Sequence, residues 1–235
     1  MTRVSVVMAT YNGVRYINEQ IASIVQSLGA DDELIVSDDG STDGTREIVS
    51  SWERNDKRIH MYNGPKRGVR ANFSYALSLA KGQYIFLSDQ DDVWLPHKVD
   101  KILSLFNSDS ELTCILHDVQ VVDENLNVLN GSFFELRGSE LGLLRNLVKN
   151  SFMGSAMAIR SHLLPYILPI PNDLAMHDWW IGLINERLGK TALLKEPLGL
   201  YRRHDSNVSS LDHGSIPKMV SNRAHAVFRL LERCK

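Results

Sequence analysis

Strand-like and helix-like segments alternate through the first half of this chain, and that alternation limits the fold more than any other feature. Arg3–Ala9 is a short valine-rich run, the pattern of a strand buried on both faces. Val14–Leu28 then carries Ile17, Ile21, Ile24, Val25 and Leu28, which is helical spacing. The exchange repeats. A strand over Glu33–Ser37 leads to a helix over Thr45–Trp52, capped by Ser41 or Asp43. A strand over Arg58–Tyr62 leads to a helix over Val69–Ala80, ended by Gly82. Tyr84–Leu87 is a fourth strand. Such a series implies right-handed βαβ units and a parallel sheet.

The second half is less regular. Pro96 opens a helix through Phe106, and Thr113–Val122 is a β-branched strand that turns back at Val128-Leu129. The hairpin makes the sheet mixed but mainly parallel. Leu141–Val148 and Asp178–Leu188 read as helices, with a loop punctuated by Pro165, Pro169 and Pro171 between them. The simplest reading is an α/β domain over residues 1–210 with a C-terminal helical extension over 211–235.

In open parallel sheets, ligands bind beyond the carboxyl ends of the strands. Thr10-Tyr11-Asn12 follows the first strand, Asp38-Asp39-Gly40-Ser41 the second and Asp89-Gln90-Asp91-Asp92 the fourth. Residues two apart on an extended chain point the same way, so Asp89 and Asp91 converge. Converging carboxylates repel unless a proton or cation sits between them, and Mg²⁺ or Mn²⁺ suits oxygen ligands. Asp89-Gln90-Asp91-Asp92-Val93 also matches the nucleophile motif of haloacid-dehalogenase-type phosphatases. That motif normally opens its domain, whereas about eighty residues precede it here.

Composition narrows the function classes. The 235 residues suffice for a full core without disulfides. A formal net charge of −2 speaks against general nucleic-acid binding. Two distant cysteines, Cys114 and Cys234, form neither a disulfide framework nor a zinc site and fit a reduced, cytoplasmic setting. No stretch approaches the roughly 20 apolar residues that span a bilayer. No G-x-G-x-x-G supports a dinucleotide-binding dehydrogenase, and Gly189-Lys190-Thr191 lacks the glycine a P-loop needs at Ile184. From Ser215 the chain reads as an amphipathic helix with Lys218, Arg223, Arg229, Arg233 and Lys235 against one acid, Glu232. Met219, Val220, Val227, Leu230 and Leu231 can share its apolar face. Such a helix lies on an anionic membrane, packs on the domain or joins a second copy.

Three segments in order carry a family resemblance: Val6–Gly13 at the opening strand, Val36–Thr45 at the second, and Leu87–Asp92 at the fourth. Together they resemble glycosyltransferase family 2, the inverting nucleotide-sugar transferases of the GT-A fold. The likeness covers residues 3–95 and extends more loosely to about 205. It implies a nucleotide-sugar donor, a Mg²⁺ or Mn²⁺ cofactor, and a glycan or lipid-linked acceptor. Asp38 is then assigned to the base with Asp39 in support, and Thr10, Tyr11, Asn12 and Gln90 line the same pocket. Asp91 binds the metal, and Asp89 contacts the ribose or a metal-bound water. Asp92 faces the donor sugar or orders its loop. Arg70 and Asn72 match a segment that often contributes to the nucleotide site.

The resemblance also implies a general base, Asp178, in Met176-His177-Asp178-Trp179-Trp180. Trp179 and Trp180 offer faces that stack on sugar rings, or anchor a helix in the core. In Tyr201–Ser209, His204 resembles a histidine that reaches the metal or diphosphate, and Arg202 or Arg203 holds phosphate. Met153 and Gly154 line the donor-sugar or acceptor pocket. The wording Ser-Asp-Gln-Asp-Asp-Val-Trp resembles a rhamnosyltransferase-like subgroup of bacterial polysaccharide synthesis, and implies dTDP-rhamnose, with UDP-hexoses as the alternative. A nucleotidyltransferase shares the sheet and metal but shows a glycine-rich basic loop after its first strand, which Ala9–Gly13 is not. A non-catalytic binding module would show a broken base or metal motif.

Overall fold

In the computed structural model, residues 3–205, 207 and 216–234 are described. The expected contributions of Ser206, Val208, Ser209, Lys218 and Lys235 lie outside the described residues or side chains. Strands β1 (Val4–Thr10), β2 (Glu33–Asp38), β3 (Ile59–Asn63) and β4 (Tyr84–Ser88) run parallel in the order β3-β2-β1-β4. Helices α1 (Ile17–Val25), α2 (Thr45–Asn55) and α3 (Val69–Leu79) connect them. All of β2 and β4 is buried, as continuous apolar runs require when helices cover both faces. Strand alternation divides the core. Val7, Ile35, Ile85 and Leu87 face α3 and its neighbour α8 (His177–Leu188), while Val6, Met8, Val36 and Phe86 face α1 and α4 (Lys98–Ser108).

The sheet continues through the expected β6–β7 hairpin and three strands that local sequence left unannounced. β5 (Val93–Trp94) follows the acidic cluster. β6 (Leu112–Val122) forms the expected hairpin with β7 (Val128–Asn130). β8 (Met157–Arg160) fits between β4 and β6, antiparallel to both. β9 (Lys190–Arg202) runs parallel to β6 and pairs antiparallel with β5. Two short helices, α5 (Phe133–Arg137) and α6 (Leu143–Val148), roof the second half, and the proline-rich stretch holds a single turn, α7 (Leu164–Ile167). The helix expected over Val14–Leu28 is shorter, because Gly13 to Tyr16 form the loop that enters it.

The tail forms α9 (Ile216–Arg233). Ala226 and Leu230 are buried in the core shared with α8, while Val220, Val227, Phe228 and Leu231 are exposed. The single apolar face expected of this helix is therefore divided, with Leu230 inward and Val220, Val227 and Leu231 outward. Among the described residues, no helix is long and apolar enough to cross a membrane.

Candidate active site

Parallel register brings the strand ends together, with Thr10 opposite Asp38 and Asp38 opposite Asn63. A cavity of about 1230 Å³ opens over this rim, larger than a typical drug-sized pocket. At one end its wall holds Thr10, Tyr11, Asn12, Asp39, Lys66 and Asn72; Asp89, Gln90, Asp91 and His204 follow; Met153, Gly154, His177 and Asp178 stand at the other end.

The loops are tied by their own polar groups. Asp38 is buried, and its carboxylate accepts from Thr10 Oγ1 (3.0 Å), Gly40 N (3.1 Å), Ser41 N (2.9 Å), Ser41 Oγ (2.5 Å) and Arg46 Nη1 (2.8 Å). Although burial opposes ionisation, these donors hold its carboxyl below the ordinary range. Asp39 takes the next position on the extended backbone and faces the cavity, where its two oxygens accept from Lys66 N (2.7 Å) and Gly68 N (2.8 Å). Asn72 locks α3 to β2 through Ser37: its Nδ2 donates to Ser37 O (2.7 Å) and its Oδ1 accepts from Ser37 Oγ (2.5 Å). The Gln90 side chain pairs with the backbone of Tyr11 in both directions at 3.0 Å, clipping the β4 loop to the β1 loop. A β-carbon on Gly13 would come within 2.3 Å of that amide and displace the clip.

The acidic cluster is only partly compensated, by Lys98 and His204. Asp89 is pushed well above its ordinary pKa by burial and by Asp92, Asp91 and Asp178. Asp92 is buried, accepts from Arg202 N (3.0 Å), and is pushed up to about 7 by burial and Asp91. Beneath them Lys98 is buried against the face of Trp94 at 4.1 Å, donates to Ser155 O (3.0 Å), and is pushed down to about 7 by burial. His204 Nε2 stands 2.9 Å from Asp91 Oδ2, and Asn207 Nδ2 donates to the same oxygen at 3.3 Å. A carboxylate oxygen and an imidazole nitrogen converging beside repelling acids fit Mn²⁺ or Mg²⁺ chemically. Among the described residues, no three His, Cys, Asp or Glu side chains stand close enough to enclose a cation alone. The protein would supply Asp91 and His204, leaving other positions for substrate oxygens.

At the far end, α8 begins with His177-Asp178. Asp178 is half-buried and pushed up to about 6 by burial, although the Trp179 and Gly154 N–H groups pull the other way. Trp179 N donates to Asp178 Oδ1 at 2.6 Å. His177 is stacked on Phe73 at 3.8 Å, and burial pushes it down to about 3, so it is neutral. Its two ring nitrogens have no hydrogen-bond partner among the described residues. A β-carbon on Gly154 would lie 2.9 Å from His177 Nε2.

Several expected contacts lie elsewhere. Trp179 and Trp180 are core anchors: their indole N–H groups donate to Asn146 O (2.8 Å) and Ile167 O (2.9 Å), and both rings are buried. Arg202 is 3% exposed and points away from the cavity. It donates to Asp91 O (2.8 Å) and Glu124 O (2.8 Å), pairs with Glu19 and lies over Tyr16. Its neighbour Arg203 lines the cavity and donates to Tyr201 Oη at 3.0 Å. Asp92, Asp38 and Arg70 also stand outside the cavity wall. Conversely, Phe133, Arg137 and Phe152 line it without having been expected. Ser132-x-x-Glu135 carried the signal for α5, since Ser132 Oγ accepts from Glu135 N at 3.0 Å as a helix cap.

Residues 5–164 match the family model of glycosyl transferase family 2, and the chain belongs to that family. Its mixed sheet and flanking helices form the GT-A fold. A putative teichuronic acid biosynthesis glycosyltransferase of Bacillus subtilis is 28% identical over 88% of this chain and 81% of its own. A glycosyltransferase of Nostoc sp. is 27% identical over 87% of this chain, which spans 66% of that relative's length. Staphylococcus aureus TarS in complex with UDP-GlcNAc has a TM-score of 0.78 at 19% identity, covering 99% of this chain and 67% of that one. A Pyrobaculum calidifontis mannosyltransferase in complex with GDP-Man and Mn²⁺ has a TM-score of 0.65 at 17% identity, covering 98% and 70%. Family membership leaves the phosphatase and nucleotidyltransferase alternatives without support.

Proposed function

We propose that this protein transfers a sugar, with inversion, from a nucleotide-diphospho-sugar to a hydroxyl of a glycan or lipid-linked acceptor in bacterial surface-polysaccharide synthesis. The observation that carries the reading is Asp178, a half-buried carboxyl pushed up to about 6, in one cavity with Asp89, Asp91 and His204. The nucleoside lies over Thr10, Tyr11 and Asn12, with Asp39 and its backbone partners at the base. Asp38 serves from behind, by fixing the loop. The diphosphate lies toward Asp91 and His204. The family, and relatives holding UDP-GlcNAc or GDP-mannose with Mn²⁺, support this assignment.

In the transfer, an acceptor hydroxyl attacks the anomeric carbon while the bond to the diphosphate oxygen breaks. The electron pair leaves with the nucleoside diphosphate. Asp178, ionised above about pH 6, takes the hydroxyl proton. Asp91 and His204 would hold Mg²⁺ or Mn²⁺, which would supply neutralisation of the charge growing on the leaving diphosphate. Arg202 keeps Asp91 in place. The donor is dTDP-rhamnose, on the wording around Asp89, or a UDP-hexose, on the TarS likeness. The outward apolar face of α9 gives peripheral contact with the membrane that carries a lipid-linked acceptor.

Asp178→Asn tests the reading. The variant should bind donor as the wild type does while transfer falls about 10²–10⁴-fold. Undiminished transfer would remove the base assignment.

A further inference from the structure

The cavity wall holds a cation that has no partner among the described residues. Arg137 is the last residue of α5, half-buried and lining the cavity. Among the described residues, its guanidinium has no ion-pair or hydrogen-bond partner. The other arginines in the wall are engaged, Arg15 with Glu124 and Arg203 with Tyr201. Lys66 lies with its side chain against Gly40. A second cation stands beside Arg137. Lys149 follows α6, and its Nζ would be 3.5 Å from a β-carbon on Gly138. It too has no ion-pair or hydrogen-bond partner among the described residues.

Arg137 is half-buried and lines the cavity, and the planar donors of a guanidinium match a carboxylate or phosphate. The exposed Lys149 reaches the residue after Arg137, Gly138. Resting on the transferase reading above, we propose that Arg137, with Lys149 at its edge, binds an anionic group on the acceptor, a carboxylate or a phosphate. The acceptor is therefore a charged glycan or glycosyl phosphate. Its oxyanion sits over α5, and its attacking hydroxyl points to Asp178.

The experiment uses full-length protein saturated with Mn²⁺ and the nucleoside diphosphate it binds, so that the donor phosphate site is filled. Methyl β-D-glucuronide, glucose 1-phosphate and the neutral methyl β-D-glucoside are titrated in turn by saturation-transfer NMR. One anionic probe should bind at least about tenfold more tightly than the glucoside. That preference should shrink with salt and vanish in Arg137→Gln, with nucleoside-diphosphate affinity unchanged. Arg137→Lys should keep part of it. Preference for the glucuronide identifies a carboxylate acceptor, and preference for the sugar phosphate a phosphorylated one. Equal or absent binding of all three probes, or a preference that survives in Arg137→Gln, overturns the proposal. Failure of the wild-type protein to bind any nucleoside diphosphate overturns the transferase reading and this inference with it.

Discussion

Where the strands end and the chain bends, neighbouring like residues at this site take two different roles. Asp38 faces inward and organises its loop, while Asp39 faces the cavity. Arg202 clamps the acidic loop from behind, while Arg203 lines the cavity. Asp91 meets His204, while Asp92 accepts from the Arg202 backbone. Asp38→Asn should therefore act first on stability, costing about 2–4 kcal/mol, because one of its oxygens becomes a donor amid donors. Chemical denaturation measures this. The sign with pH follows from its lowered pKa: the stabilisation is present at neutral pH and lost as pH falls through the folded-state value. Asp178 acts on rate instead. With its carboxyl at about 6, kcat/KM should rise through pH 6 and level above it, and Asp178→Asn should remove that limb.

At the scale of elements, the clamp made by Arg202 joins α1, the β4–β5 loop and the β6–β7 turn through Glu19, Asp91 and Glu124. Lysine keeps the charge but cannot reach all three. Arg202→Lys should weaken Mn²⁺-dependent donor binding about tenfold or more with the fold retained, read by calorimetry and circular dichroism. The elements differ in how far sequence announces them. β1, β2 and β4 are legible as buried apolar runs, and β3 by its place between two helices. β9 is not, because Lys195-Glu196-Pro197 interrupts it and most of it is only half-buried. β5 and β8 are too short to show a period. The site is legible as clusters at strand ends. Which member of each pair faces the cavity is not, because a one-residue change of register exchanges them. Trp179 and Trp180 beside an acid suggest a sugar platform, yet the helix turns both indoles into the core.

At the scale of the molecule, the sheet supplies the rim, and α5 and α8 line the cavity over it from the second half of the chain. α9 fastens to that half by one face only. Leu230→Ala should cost about 2–4 kcal/mol in thermal or chemical unfolding. Phe228→Asp, on the exposed face, should leave stability within about 0.5 kcal/mol and reduce co-sedimentation with anionic vesicles. Unchanged sedimentation would separate α9 from membrane contact.

The central claim is that one cavity takes a nucleotide sugar through a divalent cation held by Asp91 and His204. Calorimetric titration of a panel of nucleotide sugars, with Mn²⁺ and with chelator, tests it most directly. One donor should bind with Mn²⁺, chelator should abolish the heat, and Asp91→Ala should behave as the chelated wild type. Donor binding of equal strength in Asp91→Ala or in chelator would contradict it.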